Sequence, residues 1–221
     1  MTKIRYEPIV LDTLAWIAGG RFFAESLDIA LSESGEREQK AIARIAKDEG
    51  WDDEEYMIAS NELNSRFWQW MPALGTYATV VFLYSLVETQ LLACAERVRK
   101  DKNLAFGAED LRGSTIERGR VYFMKAAGVR LEEDPAWSEL KNLQALRNII
   151  VHRRGGRHTT EDSRRLLARY GAALSVASDL NASGELRVST DLCRHFIREV
   201  DGFFRRLFSV TGLPERGVTF E

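Results

Sequence analysis

The longest uninterrupted periodic pattern in this sequence runs from Ala73 to about Lys102, and it limits the possible folds most strongly. Apolar side chains recur there every three or four residues, which is the spacing of one face of an α-helix. Glu88 falls within that stripe. Nearly every other segment also has a helical pattern, and Gly184–Ser189 is the only plausible strand. The sequence therefore predicts an all-α fold, an antiparallel helical bundle with short connections.

Residues that favour helix ends predict where several helices begin and end. Ser114 followed by Glu117 forms a capping box, in which each side chain bonds a free backbone N–H, and Gly128 is the expected stop. Asp134-Pro135 begins the next helix, with aspartate as N-cap and proline in the first turn, and Gly155 ends it. Further helices are expected over residues 8–31, 36–48, 159–180 and 189–211, with a break or kink at Pro72.

Charge is distributed unevenly along the chain. The net charge of -2 argues against a protein that coats nucleic acid through bulk charge. Residues 25–62 carry a net charge of -8, whereas residues 147–169 carry +5 from seven arginines and two acidic residues. Any contact with nucleic acid is therefore expected to be local and to involve the arginine-rich segment.

The cysteines and the apolar segments indicate a cytoplasmic protein without a metal site. Cys94 and Cys193 are far apart and have no CxxC or paired histidine spacing, so neither structural zinc nor a disulfide framework is expected. The N-terminus lacks the long apolar core of a signal peptide. The apolar stretch Met71–Val87 is short and runs directly into Glu88, so a buried helix is expected there and no membrane span.

A group of polar side chains stands near the end of the helix that Asp134-Pro135 begins. In the stretch LRNIIVHRRGG, residues 146–156, Arg147, Asn148 and His152 interrupt a run of leucine, isoleucine and valine. Asparagine inside a helix costs about 0.6 kcal/mol relative to alanine, so helix propensity does not explain its presence. Asn148 and His152 are four residues apart and share a helix face. A guanidinium, an amide and an imidazole on one rigid support are suited to contacting a phosphate.

This spacing of an arginine, a polar residue, three further residues and a histidine resembles the signature of the HEPN (higher-eukaryote and prokaryote nucleotide-binding) superfamily. The stretch LYSLVETQLL, residues 83–92, resembles the earlier core helix of that family, which often carries an acidic residue. The likeness covers about residues 70–210. It implies a HEPN-type helical bundle over residues 71–212, with residues 1–70 as an N-terminal helical extension and residues 213–221 as a tail.

The resemblance also implies a reaction. HEPN proteins with this motif are typically endoribonucleases that need neither metal nor cofactor, and they act as homodimers because two copies of the motif helix build the cleft. His152 would be the general acid and base at the RNA 2′-hydroxyl and the leaving 5′-oxygen. Arg147 would stabilise charge in the transition state, and Asn148 would orient the reacting groups. The products would carry 2′,3′-cyclic phosphate and 5′-hydroxyl ends.

The remaining expectations concern partners. Arg153, Arg154 and Arg157 would hold the RNA backbone, and Glu88 would support the site. A toxin or antiviral effector of this kind would have an antitoxin or regulatory partner and no contact with membrane. Some HEPN toxins carry a tyrosine, which their partner modifies, two residues after the histidine; that position is Arg154 in this chain, so such a partner is not indicated.

Other interpretations of the same residues stay open. The chain could be a non-catalytic HEPN-like module that binds RNA or nucleotides or forms a dimer, or a structural subunit of a larger assembly. His152 could be a cation that caps its helix, and Arg147 could be a structural partner of Glu88. His195 is expected to be a surface histidine.

Overall fold

The computed structural model describes residues 4–5, 7–153, 161–176, 185–213 and 217–218. Its α-helices are α1 Pro8–Glu49, α2 Asp53–Ser65, α3 Met71–Asp101, α4 Thr115–Ala127, α5 Trp137–Arg153, α6 Glu161–Tyr170 and α7 Thr190–Thr211. Its strands are β1 Ile4–Arg5, β2 Leu174–Val176, β3 Leu186–Val188 and β4 Gly217–Val218. A π-helical turn, Arg66–Trp70, joins α2 to α3, and short 3-10 turns cover Ala108–Asp110, Leu131–Glu133 and Gly171–Ala173. The predicted all-α class is confirmed.

α3 lies at the centre of the molecule and contacts α1, α4, α5 and α7. Many of its side chains are fully buried, among them Val80, Leu83, Val87, Leu91 and Cys94. A helix that is apolar around most of its surface is stable only when other elements cover it. The helix predicted over residues 73–102 is therefore confirmed, and its burial organises the helices around it.

The first 49 residues differ from the prediction of two helices, because α1 is one helix of 42 residues. The chain stays helical through Gly19 and Gly20 because Gly20 lies against α3, where a Cβ atom would come within 2.9 Å of the Phe82 ring. Farther along, Gly35 lies against Phe67. The predicted end at Gly50 is confirmed, and its φ of 69° is a conformation that glycine adopts without strain.

α1 and the main core are in contact. Val10, Ile17 and Ala24 belong to the same buried cluster as the side chains of α3, whereas Leu31 and Phe67 belong to a second, smaller cluster with Leu63. The first half of the segment predicted as an extension therefore supplies part of the main core.

The chain does not break at Pro72. Residues Asp53–Asp101 form one continuous helical run, and Pro72 occupies its tolerated place in the first turn of α3, after the π-helical turn. Among the described residues this run is the one helix long and apolar enough to cross a membrane, with a window of mean hydropathy 1.6. More than half of that window, 56%, is buried inside the molecule.

The segment after α5 differs from the predicted helix over residues 159–180. α6 ends at Tyr170, because Gly171 adopts a φ of 51° and the chain then enters β2. β2 pairs antiparallel with β3, with Leu174 opposite Val188, so the predicted strand within Gly184–Ser189 is confirmed and has a partner that the sequence did not indicate. Residues 177–180 of the predicted helix lie outside the described residues.

The predicted start of α4 at Ser114 and its predicted end at Gly128 agree with the structure, whereas the predicted stop at Gly155 lies outside the described residues. Ser114 caps α4 by accepting a hydrogen bond from the backbone of Glu117, and Gly128 ends that helix. Ser189 caps α7 and Gly212 ends it. These signals act locally, which explains why the sequence was sufficient to identify them.

We predict that Gly119→Ala destabilises the protein although alanine is the better helix former. A Cβ at Gly119 would lie 2.4 Å from Cδ2 of the buried Leu91, and overpacking a core costs about 1–3 kcal/mol, more than the roughly 1 kcal/mol gained in helix propensity. We expect the free energy of unfolding, measured by chemical denaturation, to fall by up to about 2 kcal/mol. The matched control is Gly19→Ala in α1, where the new methyl group would have no atom within 4 Å; a decrease as large as that of Gly119→Ala would contradict the prediction.

Candidate functional site

α5 carries the predicted motif, and its first turn is fixed to α7. Asp134, predicted as the N-cap, lies three residues before Trp137, where α5 begins, and it accepts a hydrogen bond of 2.8 Å from the backbone N–H of Ala136 in the preceding turn. The same carboxylate accepts two hydrogen bonds from Arg206 of α7, at 2.7 and 2.8 Å. A two-point contact between guanidinium and carboxylate holds the start of α5 in a defined direction.

The apolar stripe of α5 determines how the motif residues are presented. Leu143, Leu146 and Ile150 are buried, so Arg147 lies at the edge of the buried face and is half-buried. Asn148 and His152 are exposed. The structure therefore places an amide and an imidazole in solvent at the end of a helix whose other face is held in the core.

Arg147 is directed towards α3. Its guanidinium carbon lies 5.4 Å from the centre of the Tyr84 ring, within the range of a cation–π interaction. Its Nη1 donates a hydrogen bond of 3.2 Å to Oδ1 of Asn148. Its Nε is buried and has no hydrogen-bond partner among the described residues. Part of the guanidinium is thus fixed by aromatic packing, and its hydrogen bond restricts the neighbouring amide.

Tyr84 links this arginine to the core. Its side chain is almost fully buried, and its hydroxyl accepts a hydrogen bond of 2.8 Å from Nε2 of Gln144. Burial, and then the negative charge of Glu88 and a hydrogen bond to it, raise the pKa of Tyr84 to about 12. Among the described residues no ion pair joins Glu88 to Arg147; Tyr84 interacts with both of them.

Helix geometry separates the two principal groups of the motif. Five residues of an α-helix correspond to a rotation of about 140°, so Arg147 and His152 point in clearly different directions from one α5. Arg147 faces α3, and His152 faces solvent. A single copy of the chain does not direct both groups at one point.

The predicted RNA-binding arginines lie at the edge of the described structure. Arg153 is the last residue of α5, and Arg154 and Arg157 lie outside the described residues. In α6, Arg165 donates a hydrogen bond of 2.7 Å to Asn142 of α5. Arg164 is exposed on the same helix. Part of the arginine-rich segment therefore holds α6 against α5.

A second polar cluster, formed by Glu139, Arg169, Tyr170 and His195, was not predicted from the sequence. Glu139 of α5 is 4% exposed. Its carboxylate accepts hydrogen bonds from the Tyr170 hydroxyl at 2.5 Å, from Nε2 of His195 at 3.0 Å and from Arg169. The cluster lines a pocket of about 280 Å³ and joins α5, α6 and α7. His195, expected at the surface, is partly buried because its ring contacts this carboxylate.

The electrostatics of the cluster follow from burial and hydrogen bonding. Burial alone raises the pKa of Glu139, but the hydrogen bonds from Tyr170, His195 and Arg169 outweigh it and leave the pKa below its ordinary value. Burial and the adjacent Glu139 carboxylate raise the pKa of Tyr170. The carboxylate is therefore kept charged, and it stabilises the contact of three helices.

One sequence signal pointed to this cluster. Glu139 and Asn142 lie on the same turns of α5 as the buried Leu143 and Leu146, and both are nearly inaccessible. Polar residues on the buried stripe of a helix must have partners. The partners on α6 and α7 are 23 to 56 residues away in the chain, and helical periodicity does not identify them.

No family model, curated protein or solved structure matches this chain. Within the described residues, no three histidine, cysteine, aspartate or glutamate side chains are grouped in a way that could hold a metal ion.

We predict that Glu139→Gln destabilises the protein by about 2–3 kcal/mol at neutral pH. The amide offers one acceptor where the carboxylate serves three donors, and breaking a buried ion pair typically costs about 3–5 kcal/mol. The effect is smaller here because the Arg169 side chain is 51% exposed and stays partly solvated. The control is Glu133→Gln, whose ion pair with Arg130 is 65% exposed on both sides; it should change the free energy of unfolding by less than about 0.5 kcal/mol.

The same variant has a predicted pH dependence. Because the pKa of Glu139 is lowered in the folded protein, its stabilising contribution is complete above the ordinary carboxyl value of 4.5 and disappears as the pH falls through the lowered pKa. Unfolding free energies of the wild type and Glu139→Gln should therefore differ at pH 7 and converge as the pH falls below 4.5 and through the lowered pKa. A difference that is constant from neutral to acid pH would show that the charge of Glu139 does not contribute.

Proposed function

We propose that this protein is a metal-independent endoribonuclease of HEPN type that cleaves RNA by attack of the 2′-hydroxyl. The observation that carries the proposal is the end of α5, where His152 and Asn148 are exposed and Arg147 is fixed beside them by Tyr84. The same proposal includes a HEPN-type bundle, a homodimer and a cytoplasmic location. It also includes a partner that restrains the protein as a toxin or antiviral effector.

The chemistry requires a proton acceptor, a proton donor and a positive charge. His152 removes the proton of the 2′-hydroxyl, whose oxygen attacks the adjacent phosphorus, and a protonated imidazole supplies a proton to the departing 5′-oxygen. A guanidinium stabilises the additional negative charge on the phosphoryl oxygens in the transition state. The products are a 2′,3′-cyclic phosphate and a 5′-hydroxyl. DNA lacks the attacking group and is not a substrate.

The divergence of Arg147 and His152 on α5 favours a site that two copies complete. The two side chains point about 140° apart from the same helix. Arg147 and His152 of one copy therefore do not contact the same phosphate. When two α5 ends meet, each copy contributes to the same cleft. The arginine-rich residues 153–157 follow directly in the chain and supply positive charge for the RNA backbone.

The test is an RNA cleavage assay in the presence of a chelator. We expect wild-type protein to convert single-stranded RNA to fragments with cyclic phosphate ends in EDTA, and to leave DNA of the same sequence intact. His152→Ala should lower the cleavage rate by about 100-fold or more, the contribution of a general acid and base. Because His152 is exposed, its removal leaves the core unchanged.

The control is Arg112→Ala, which changes an exposed arginine outside α5 and α6 and should cleave normally. Loss of cleavage in EDTA, or full activity of His152→Ala, would refute the proposal.

A second function, RNA binding without cleavage, is favoured by the packing of Arg147. A guanidinium that is half-buried against Tyr84 and bonded to Asn148 is partly committed to the structure of the protein itself. RNA would then be held by the arginines that follow α5.

RNA retention distinguishes the two functions. We expect the triple change of Arg153, Arg154 and Arg157 to alanine to weaken RNA retention on a filter. The slope of log affinity against log salt should fall by about one unit for each phosphate group that the variant no longer binds. Arg112→Ala should leave the slope unchanged. Retention by the wild type without any cyclic phosphate product, in EDTA or in Mg²⁺, supports the binding module and excludes the nuclease.

A further inference from the structure

The first half of α1 exposes apolar side chains on the side opposite the core. Val10, Ile17 and Ala24 are buried, yet Leu11, Phe22 and Ile29 are exposed by 45%, 72% and 62%. A helix that is apolar on both sides is normally covered on both sides. The described residues cover only one side of this half of α1.

The exposed side chains of α1 follow the spacing of a helix-pairing seam. The stripe consists of Leu11, Ala15, Ala18, Phe22 and Ile29, all exposed and separated by four, three, four and seven residues. This alternation is the heptad pattern by which one helix pairs with another along its length. Glu25 occupies the remaining position of the stripe, and a single polar residue in such a seam fixes its register.

α3 extends this surface beside α1. Leu74 is 67% exposed, and Ala78 and Phe82 follow it along α3 at helical spacing. Between the two helices is an apolar groove of about 390 Å³, with Trp16 and Phe23 at its edge and Gly19 and Gly20 among its lining. We call the combined surface the α1–α3 face. It contains both protruding aromatic rings and a recess above small residues.

The size of the α1–α3 face agrees with a specific interface. The large apolar side chains of the face together expose roughly 600 Å², if the full area of an aromatic side chain is taken as about 200 Å². This lies at the upper end of what a monomer typically exposes and approaches the roughly 800 Å² that each partner buries in an interface of standard size. An isologous interface needs protrusions and recesses on one surface, and this face has both.

The charges around the face disfavour a lipid surface. Helices that lie on membranes carry lysine and arginine on their polar side, whereas residues 8–31 contain one basic residue, Arg21, against three acidic ones. Arg21 and Asp28 pair with Asp201 and Arg194 of α7. Asp12 accepts hydrogen bonds from Trp16 and from Gln90. The other two charged groups of this half of α1, Asp12 and Glu25, are both negative, which disfavours an anionic lipid surface.

We propose that the α1–α3 face is a self-association surface of this protein, separate from the meeting of two α5 ends in the proposed nuclease, and that it is covered in solution by the same face of a second copy in antiparallel orientation. The antiparallel arrangement follows from the first turn of α2, where Asp53, Glu54 and Glu55 are adjacent to the end of α1. A parallel pair would bring two of these acidic turns together, whereas an antiparallel pair separates them. The face excludes the end of α5, and the proposal does not depend on RNA cleavage.

Sedimentation of the full-length chain without RNA tests the proposal. We expect the wild type to sediment at micromolar concentration with at least twice the chain mass of 25.1 kDa. Phe22→Glu and Leu74→Glu should each raise the dissociation constant about 100-fold or more, because a carboxylate would be buried in an apolar interface. Both positions are exposed in the single chain, so these variants should keep the helical circular dichroism and unfolding free energy of the wild type at a dilution where all three proteins are monomeric.

The matched control is Val210→Glu, an exposed apolar side chain of α7 away from the face, which should dimerise like the wild type. A wild type that is monomeric at all concentrations would overturn the proposal. So would a Phe22→Glu and a Leu74→Glu variant that both dimerise with wild-type affinity. Binding of the monomeric wild type to vesicles of anionic phospholipid would assign the face to a membrane surface and would also overturn it.

Discussion

The burial of α3 among α1, α4, α5 and α7 is the interaction on which the rest of the structure depends. Its apolar side chains face several directions, so no single neighbouring helix is sufficient to remove them from water. Each surrounding helix is amphipathic to a different degree and presents its apolar stripe to α3. The position of α5, and with it the direction of the motif, follows from this packing, because Tyr84 of α3 contacts Arg147 of α5.

Polar contacts between helices fix the position of α5 more narrowly than the burial of apolar side chains does. Glu139 connects α5 to α6 and α7, and Asp134 connects the start of α5 to α7. Because buried carboxylates are costly unless they are fully bonded, these contacts tolerate few alternative arrangements. α5 is therefore held just before its first residue by Arg206, in its first turn by the cluster around Glu139 and near its end by Tyr84. Exposed groups on such a helix have little freedom to move relative to the core, which is what catalysis or tight binding requires.

The proposed site and the proposed self-association surface belong to different parts of the molecule. The site is at the end of α5, and the α1–α3 face lies along the first half of α1. Both features indicate a second copy, but for different reasons. The site needs one because Arg147 and His152 point in different directions, and the face needs one because its apolar side chains are exposed to water in the single chain. The two are physically independent, so each has its own measurement.

Several helix ends were determined by the sequence itself, because capping and glycine effects act over three or four residues: Ser114, Gly128 and Gly212 were sufficient. Where a helix continued or stopped for tertiary reasons, the sequence was misleading. Gly20 stays helical because Phe82 covers it, and β2 replaces the end of a predicted helix because it pairs with β3.

The motif at Arg147, Asn148 and His152 was visible in the sequence, but the ring beneath Arg147 and the four-residue cluster around Glu139 were decided by tertiary structure. Those contacts join residues that are 30 to 63 positions apart in the chain, and no local pattern encodes which distant side chain completes a buried polar group.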